Sequence, residues 1–199
     1  NNATGFRERN YILNDPVTNI NYSYRNILGD IVNSSPVYEG QYDFRYSGLT
    51  SGGGDYNAFV QAKRSRDALV FVGANDGMLH AFKAKGTKAL REAFGYIPSL
   101  VFNKLPLLTK PNYGTASNPH QYFVDGNIVV GDAYLTVGGV TKWRSIVAGS
   151  LGAGGKGIVV LDVTDVTDAS PQPRVLFEYQ HAEMGNVLGK MFILPTKAG

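Results

Sequence analysis

The stretch LVFVGANDGMLHAFKA, Leu69 to Ala84, decides the fold. Leu69, Val70, Phe71 and Val72 form an apolar run of buried-strand length, and Met78 to Phe82 read as the returning partner. Between them stands Asn75-Asp76-Gly77, residue types that tolerate positive φ, with Asp-Gly a strong hairpin signal. Gly73 and Ala74 are small enough to let backbones pass closely. A lone hairpin cannot bury its own apolar face, so the stretch predicts a larger sheet architecture made of similar pieces.

The same rhythm recurs along the chain. Asp30-Ile31-Val32-Asn33-Ser34-Ser35-Pro36-Val37-Tyr38 approaches the hairpin, and Tyr122 to Leu135 opens a second unit. Trp143 to Ala148 and Gly157 to Val163 are predicted to pair across a turn from Gly149 to Lys156, with Val175 to Tyr179 following. A third unit is expected to begin at Asn186 and run through Lys190-Met191-Phe192-Ile193-Leu194. Short strands grouped in fours between Gly, Asn and Asp turns are the pattern of β-propeller blades. Groups starting near Asp30, Val124 and Asn186 stand too far apart for a plain repeat of about 40–50 residues, so insertions must absorb the excess.

Two interruptions fit that role. Residues 41–66 contain Ser47-Gly48-Leu49-Thr50-Ser51-Gly52-Gly53-Gly54-Asp55, without periodicity and rich in small residues, which reads as a mobile loop between strands. Residues 98–120 carry Pro98, Pro106, Pro111 and Pro119, with one or two helical turns expected from Ser99 as N-cap to a stop at Pro106. Residues 1–28 read as a lead-in, an edge strand or loop, ahead of a partial propeller over 29–199.

The chain has 199 residues, 43% of them hydrophobic, enough for a core. Its net charge of +3 comes from 19 Lys and Arg against 16 Asp and Glu, spread without blocks. The weak basic groupings, Lys63, Arg64 and Arg66 and then Lys83, Lys85 and Lys88, read as solvated loop faces. No helix or aromatic platform carries a basic stripe, so nucleic acid is not an expected partner. Cysteine is absent, which removes disulfides and thiolate sites, and no run of about 20 apolar residues predicts a membrane span. The chain starts at Asn1 rather than Met, and we read it as an internal piece of something larger.

Taken in order, four groups of residues resemble the C-terminal domain of the PilC/PilY family of type IV pilus biogenesis and tip-adhesin proteins. They are Gly29 to Val37 (GDIVNSSPV), Val70 to Phe82 (VFVGANDGMLHAF), Glu92 to Ser99 (EAFGYIPS), and Tyr122 to Gly126 with Gly149 to Gly157 (YFVDG, GSLGAGGKG). The resemblance implies an all-β fold, part of a modified β-propeller of about seven antiparallel four-stranded blades with long loop insertions. This chain would hold about two blades and the start of a third, its open edges covered by the remaining blades of the parent propeller.

The resemblance further implies a non-enzymatic, extracellular module at the pilus tip, exported through periplasm and outer membrane. Such proteins work with minor pilins, support pilus assembly, counteract retraction and contribute to surface attachment, host-receptor contact and twitching motility. The family also has a calcium loop of alternating Asp and Asn around a Gly. Here Asp162, Asp165 and Asp168 are spaced by three, with no Gly at the bend, so calcium is expected only in the parent protein beyond residue 199 and no cofactor within this chain. The hairpin also resembles repeats of quinoprotein (PQQ-dependent) dehydrogenases, an alternative reading. A quinone pocket walled by tryptophans fits poorly with a chain that has one Trp.

Other motifs carry less. Gly152-Ala153-Gly154-Gly155-Lys156-Gly157 satisfies G-x-G-x-x-G, but the β-branched run Ile158-Val159-Val160-Leu161 follows where a dinucleotide site needs a helix. It is expected to be a hairpin turn outside any helix. His80, His120 and His181 share no ligand spacing and read as structural, and the sequons at Asn2, Asn21 and Asn33 as incidental. Aromatics crowd the first part: Tyr22, Tyr24, Tyr42, Phe44, Tyr46 and Tyr56 fall in segments that read as loops. Of these, Tyr42, Phe44, Tyr46 and Tyr56 are candidate protein-contact residues, because a rigid ring covers area and a phenol finds partners. Trp143, at a strand start, is expected to anchor a blade core.

Overall fold

The computed structural model describes residues 9–14, 21–26, 28–86 and 89–196, and of the first two stretches the backbone alone. The Asn2 sequon and Lys88 lie outside the described residues. In the lead-in, β1 (Arg9–Asn14) and β2 (Asn21–Asn26) pair antiparallel, so the backbone at Tyr22 and Tyr24 is strand rather than loop.

Two four-stranded antiparallel sheets follow, each a meander in which strand order equals chain order. The first blade is β3 (Val37–Glu39), β4 (Leu69–Gly73), β5 (Leu79–Lys83) and β6 (Glu92–Tyr96). The second is β7 (Ile128–Val137), β8 (Val140–Ser150), β9 (Ile158–Asp162) and β10 (Arg174–Tyr179). The predicted pairings hold: Val72 faces His80 across the hairpin, and Val147 faces Leu161 across the Gly-rich turn.

The turn after β4 works differently from its sequence reading. Ala74 N–H donates to Met78 O (3.0 Å) and Gly77 N–H to Ala74 O (3.4 Å), and of its residues only Gly77 takes a positive φ, 98°. A three-residue loop closed by a left-handed Gly needs no such freedom at Asn75 or Asp76. Their side chains are used instead. Asn75 Oδ1 accepts from Phe123 N–H at 3.0 Å, and Asp76 Oδ1 from Met78 N–H at 3.1 Å.

Alternation in the strands places the core between the sheets. Leu69, Phe71, Leu79, Ala81 and Phe94 of the first blade meet Val147, Val159 and Leu161 of the second, with Val101, Phe123 and Val124 wedged among them. Full burial of each large side chain is worth about 1.5–3 kcal/mol, so this seam holds the two blades together. Close approach is built in at Gly73, where a Cβ would collide with the Val124 carbonyl.

The insertions depart from expectation. Residues 41–66 are no mobile loop: they hold helix α1 (Gly53–Ser65), which buries Tyr56, Val60 and Lys63 along one face. Its start is a left-handed Gly52 (φ 73°), so the glycine tract supplies the turn into the helix. In residues 98–120, a 3-10 turn spans Ser99–Val101 and a short helix α2 spans Leu105–Leu108. Pro106 does not stop a run; it lies in the first turn of α2, where its missing N–H costs nothing. Nor does Ser99 cap with its own side chain. Glu178 of β10 accepts from Ser99 N–H (2.9 Å) and Tyr96 O–H (2.5 Å), and from the Ser99 hydroxyl.

The expected third unit forms no strand among the described residues; residues 185–196 run without regular structure. They lie along the second blade's start, with Asn127 Nδ2 donating to Leu188 O (2.9 Å) and Ser150 Oγ to Val187 O (3.1 Å). A strand is held by a ladder partner, and here the segment meets side chains in place of one.

Candidate functional site

The residues singled out for contact converge on one place, where the first insertion crosses the second blade. Tyr38, Tyr42, Phe44 and Tyr46 form a run of touching rings, with centroids 5.7, 6.4 and 5.9 Å apart. Tyr46 stacks on Trp143 at 5.7 Å, and Tyr56 packs on Trp143 at 4.5 Å. Tyr42 is 55% exposed, Phe44 and Tyr46 are half-buried, and Tyr56 is wholly buried. The run thus leads from solvent at Tyr42 to the interior at Tyr56.

Trp143 sits in β8 but outside the core between the blades. With Tyr56 and Val60 it makes a second cluster under α1, and its indole N–H donates to Gly52 O at 2.7 Å. It anchors the helix to the blade, a correction to its expected place in a blade core.

A polar group lies beneath the rings. Lys63 Nζ donates to Asp132 Oδ1 at 2.7 Å, and Tyr56 O–H to Asp132 Oδ2 at 2.8 Å. Glu39 Oε1 stands 3.8 Å from Lys63 Nζ, buried and without a hydrogen-bond partner. Burial pushes the Glu39 carboxyl above the usual carboxylate range, against the pull of Arg66 and Lys63. Burial and the Asp132 carboxylate likewise push the Tyr56 phenol up. Helix, first blade and second blade are thereby joined through one buried network.

Lys63 and Lys83, expected as solvated, are buried instead. Lys83 pairs with Asp67 at 3.0 Å and with Asp168, and its aliphatic stem packs inside. Arg66 donates to Thr164 O (2.6 Å) and Ser145 Oγ (2.8 Å). The acidic trio is divided among separate cations: Asp162 to Arg144 (2.7 Å), Asp165 to Lys142 (3.1 Å) and Asp168 to Lys83. Among the described residues no group of three or more His, Asp or Glu converges as a metal site would.

Helix α1 and strands β7 and β8 also wall an open cleft of about 560 Å³. Phe59, Tyr134 and Trp143 line it together with Asp55, Lys142 and Asp165.

The glycine motif turns within a hairpin, as its sequel predicts, but not wholly outside helix: Gly152–Gly154 makes one 3-10 turn before β9. The reason is packing. A Cβ on Gly154 would strike the Phe123 carbonyl, and Lys104 Nζ clasps Tyr122 O (2.6 Å) and Gly154 O (2.7 Å) over the motif. His120 pairs with Asp30 at 2.8 Å, His181 Nδ1 accepts from Glu183 N–H at 3.3 Å, and His80 lies between two carboxylates. No helix among the described residues is long and apolar enough to cross a membrane.

Consecutive four-stranded meanders packed face to face, with their first strands adjacent, define a stretch of β-propeller. The chain belongs to the PilY1 beta-propeller domain family, whose profile matches residues 28–190. It is 42% identical over 178 residues to a type IV pilus biogenesis factor PilY1 homolog of Xylella fastidiosa, covering 87% of this chain and 13% of that protein. It is 47% identical over 148 residues to type IV pilus biogenesis factor PilY1 of Pseudomonas aeruginosa, covering 73% of this chain and 12% of that protein. The chain therefore spans a small part of the length of these relatives. The crystal structure of the Pseudomonas aeruginosa PilY1 C-terminal domain is also similar, with 36% identity, a TM-score of 0.48, and coverage of 73% of this chain and 25% of that one.

Proposed function

We propose that this chain is a non-enzymatic propeller segment of a type IV pilus biogenesis factor, acting through its protein surface at the pilus tip outside the cell. In this reading it supports pilus assembly with the minor pilins, counteracts retraction, and contributes to surface attachment and twitching motility. The observation that carries it is the match to the PilY1 beta-propeller domain over 28–190, which takes in both blades and both insertions. The exposed end of the aromatic run, Tyr42 with Tyr38, is our proposed contact surface for a protein partner. Trp143, the one tryptophan of the chain, is packed under α1, which favours a surface role over a quinone pocket.

The test is genetic. Deleting the gene for the parent protein should remove surface pili and twitching, and deleting the retraction motor as well should restore the pili. Unchanged piliation in the single deletion would sink the proposal, and failure of the double deletion to restore pili would sink its retraction part. Dye-linked alcohol oxidation by the parent protein with quinone and calcium would favour the dehydrogenase instead.

A further inference from the structure

The first blade begins at a segment, Leu28 to Pro36, that has no ladder of its own. Its start is held by the turn after β4. Gly29 N–H donates to Asp76 Oδ2 at 2.6 Å, and Asn75 N–H donates to Asp30 O at 2.9 Å. Asp76 in turn faces His80, whose Nε2 lies 3.1 Å from Asp76 Oδ2 and 3.2 Å from Oδ1. The other ring nitrogen, Nδ1, lies 2.5 Å from Glu92 Oε1 on β6. His80 is 4% exposed.

With both acids ionised, a carboxylate on each ring nitrogen calls for an N–H on each. Ionised carboxylates only accept hydrogen bonds, and a neutral imidazole has one N–H to give. Only the imidazolium satisfies both Asp76 and Glu92. A neutral His80 would leave a lone pair facing one carboxylate inside the protein, which is costly.

We propose that His80 is a proton-operated latch on the start of the first blade: protonated, it fixes Asp76 against the Gly29 amide, and on losing its proton it lets that hold relax. Among the described residues Asp76 on the turn and Glu92 on β6 are the charged groups that face His80, and the Phe82 ring stacks on it at 5.9 Å. One layer further out, Asn75 Nδ2 donates to Asp30 Oδ2 (3.0 Å), which also holds His120 at 2.8 Å. Burial pulls the His80 pKa down, but Asp76 and Glu92 outweigh it, and the net shift is upward. A raised folded-state pKa gives stability that is complete below the unfolded value and lost as pH rises through the folded one. The latch therefore opens toward alkaline pH.

Hydrogen exchange of the full-length protein, read on peptides covering residues 29–34 and corrected for the intrinsic pH dependence, tests this. Protection should be constant at mildly acidic pH and fall several-fold as His80 titrates, followed by NMR of its ring carbons. Glu92→Gln, which removes one carboxylate at a partly exposed position, should move both midpoints to lower pH. Gly29→Ala, whose Cβ would run into the Asp76 backbone, should give low protection at every pH. Flat protection in the wild type while His80 titrates overturns the proposal, as does an unmoved midpoint in Glu92→Gln.

Discussion

Lys63 on the insertion helix and Asp132 on the first strand of the second blade form a buried ion pair at 2.7 Å, 69 residues apart in sequence. Both side chains are almost fully shielded from water. Removing one member strands a charge in the interior, which typically costs about 3–5 kcal/mol. Lys63→Met should therefore lower stability by about that amount, and Lys63→Met with Asp132→Asn should recover part of it. Urea unfolding of this chain, followed by the fluorescence of Trp143 beside the pair, measures both; equal losses in the single and double variants would argue against a coupled pair.

Glu39 supplies a pH dependence. Its burial raises the carboxyl above the ordinary range, so its contribution to stability is complete below the unfolded pKa and disappears as pH rises through the folded one. Glu39→Gln should leave the melting temperature near pH 4 unchanged and raise it at pH 7 and above. A lower melting temperature for the variant at neutral pH would show that its attraction to Lys63 and Arg66 outweighs its desolvation.

The two ends of the aromatic run should respond differently. Tyr42→Ser, at an exposed ring, should change stability by less than about 0.5 kcal/mol while reducing recovery of the parent protein with the minor pilins. Tyr56→Phe removes the hydroxyl that bonds Asp132 and the Phe44 amide, and should cost about 1–3 kcal/mol. Unfolding curves and pulldown together separate the effects; unchanged pulldown with Tyr42→Ser would count against that contact surface.

At the glycine motif, Gly154→Ala would press a methyl group into the Phe123 backbone, which cannot move aside as a side chain can. A loss of about 1–3 kcal/mol is expected, whereas Gly185→Ala, with open space around it, should be near neutral. Thermal melts of the two variants compare them directly.

The blades were readable because their signals are local. Val70 to Phe82 carries an apolar run, a turn and a returning run, and β8 with β9 repeats the scheme around Gly152–Gly154. Helix α1 was hidden because its start is Gly52-Gly53-Gly54 and because Lys63 lies on its buried face, which breaks the apolar period. The main counter-charge of Lys63, Asp132, is distant in sequence, and Glu39 and the Tyr42 carbonyl add to it. The same limit applies to the rings: Tyr42, Phe44 and Tyr46 could be seen as a cluster of aromatics. Their grading from exposed to buried depends on where α1 lies over Trp143. Met191 to Leu194 has strand composition, but among the described residues it has no ladder partner.

The starts of successive units are fastened to one another. Asn33 Nδ2 donates to Asp125 Oδ2 at 2.6 Å, and Asn127 Nδ2 reaches Leu188 O at 2.9 Å. The first insertion, by contrast, joins β3 to β4 at the other end of the blade, where Glu39 pairs with Leu69. Such a division leaves residues 41–66 free to lengthen or shorten without disturbing the joints between successive units.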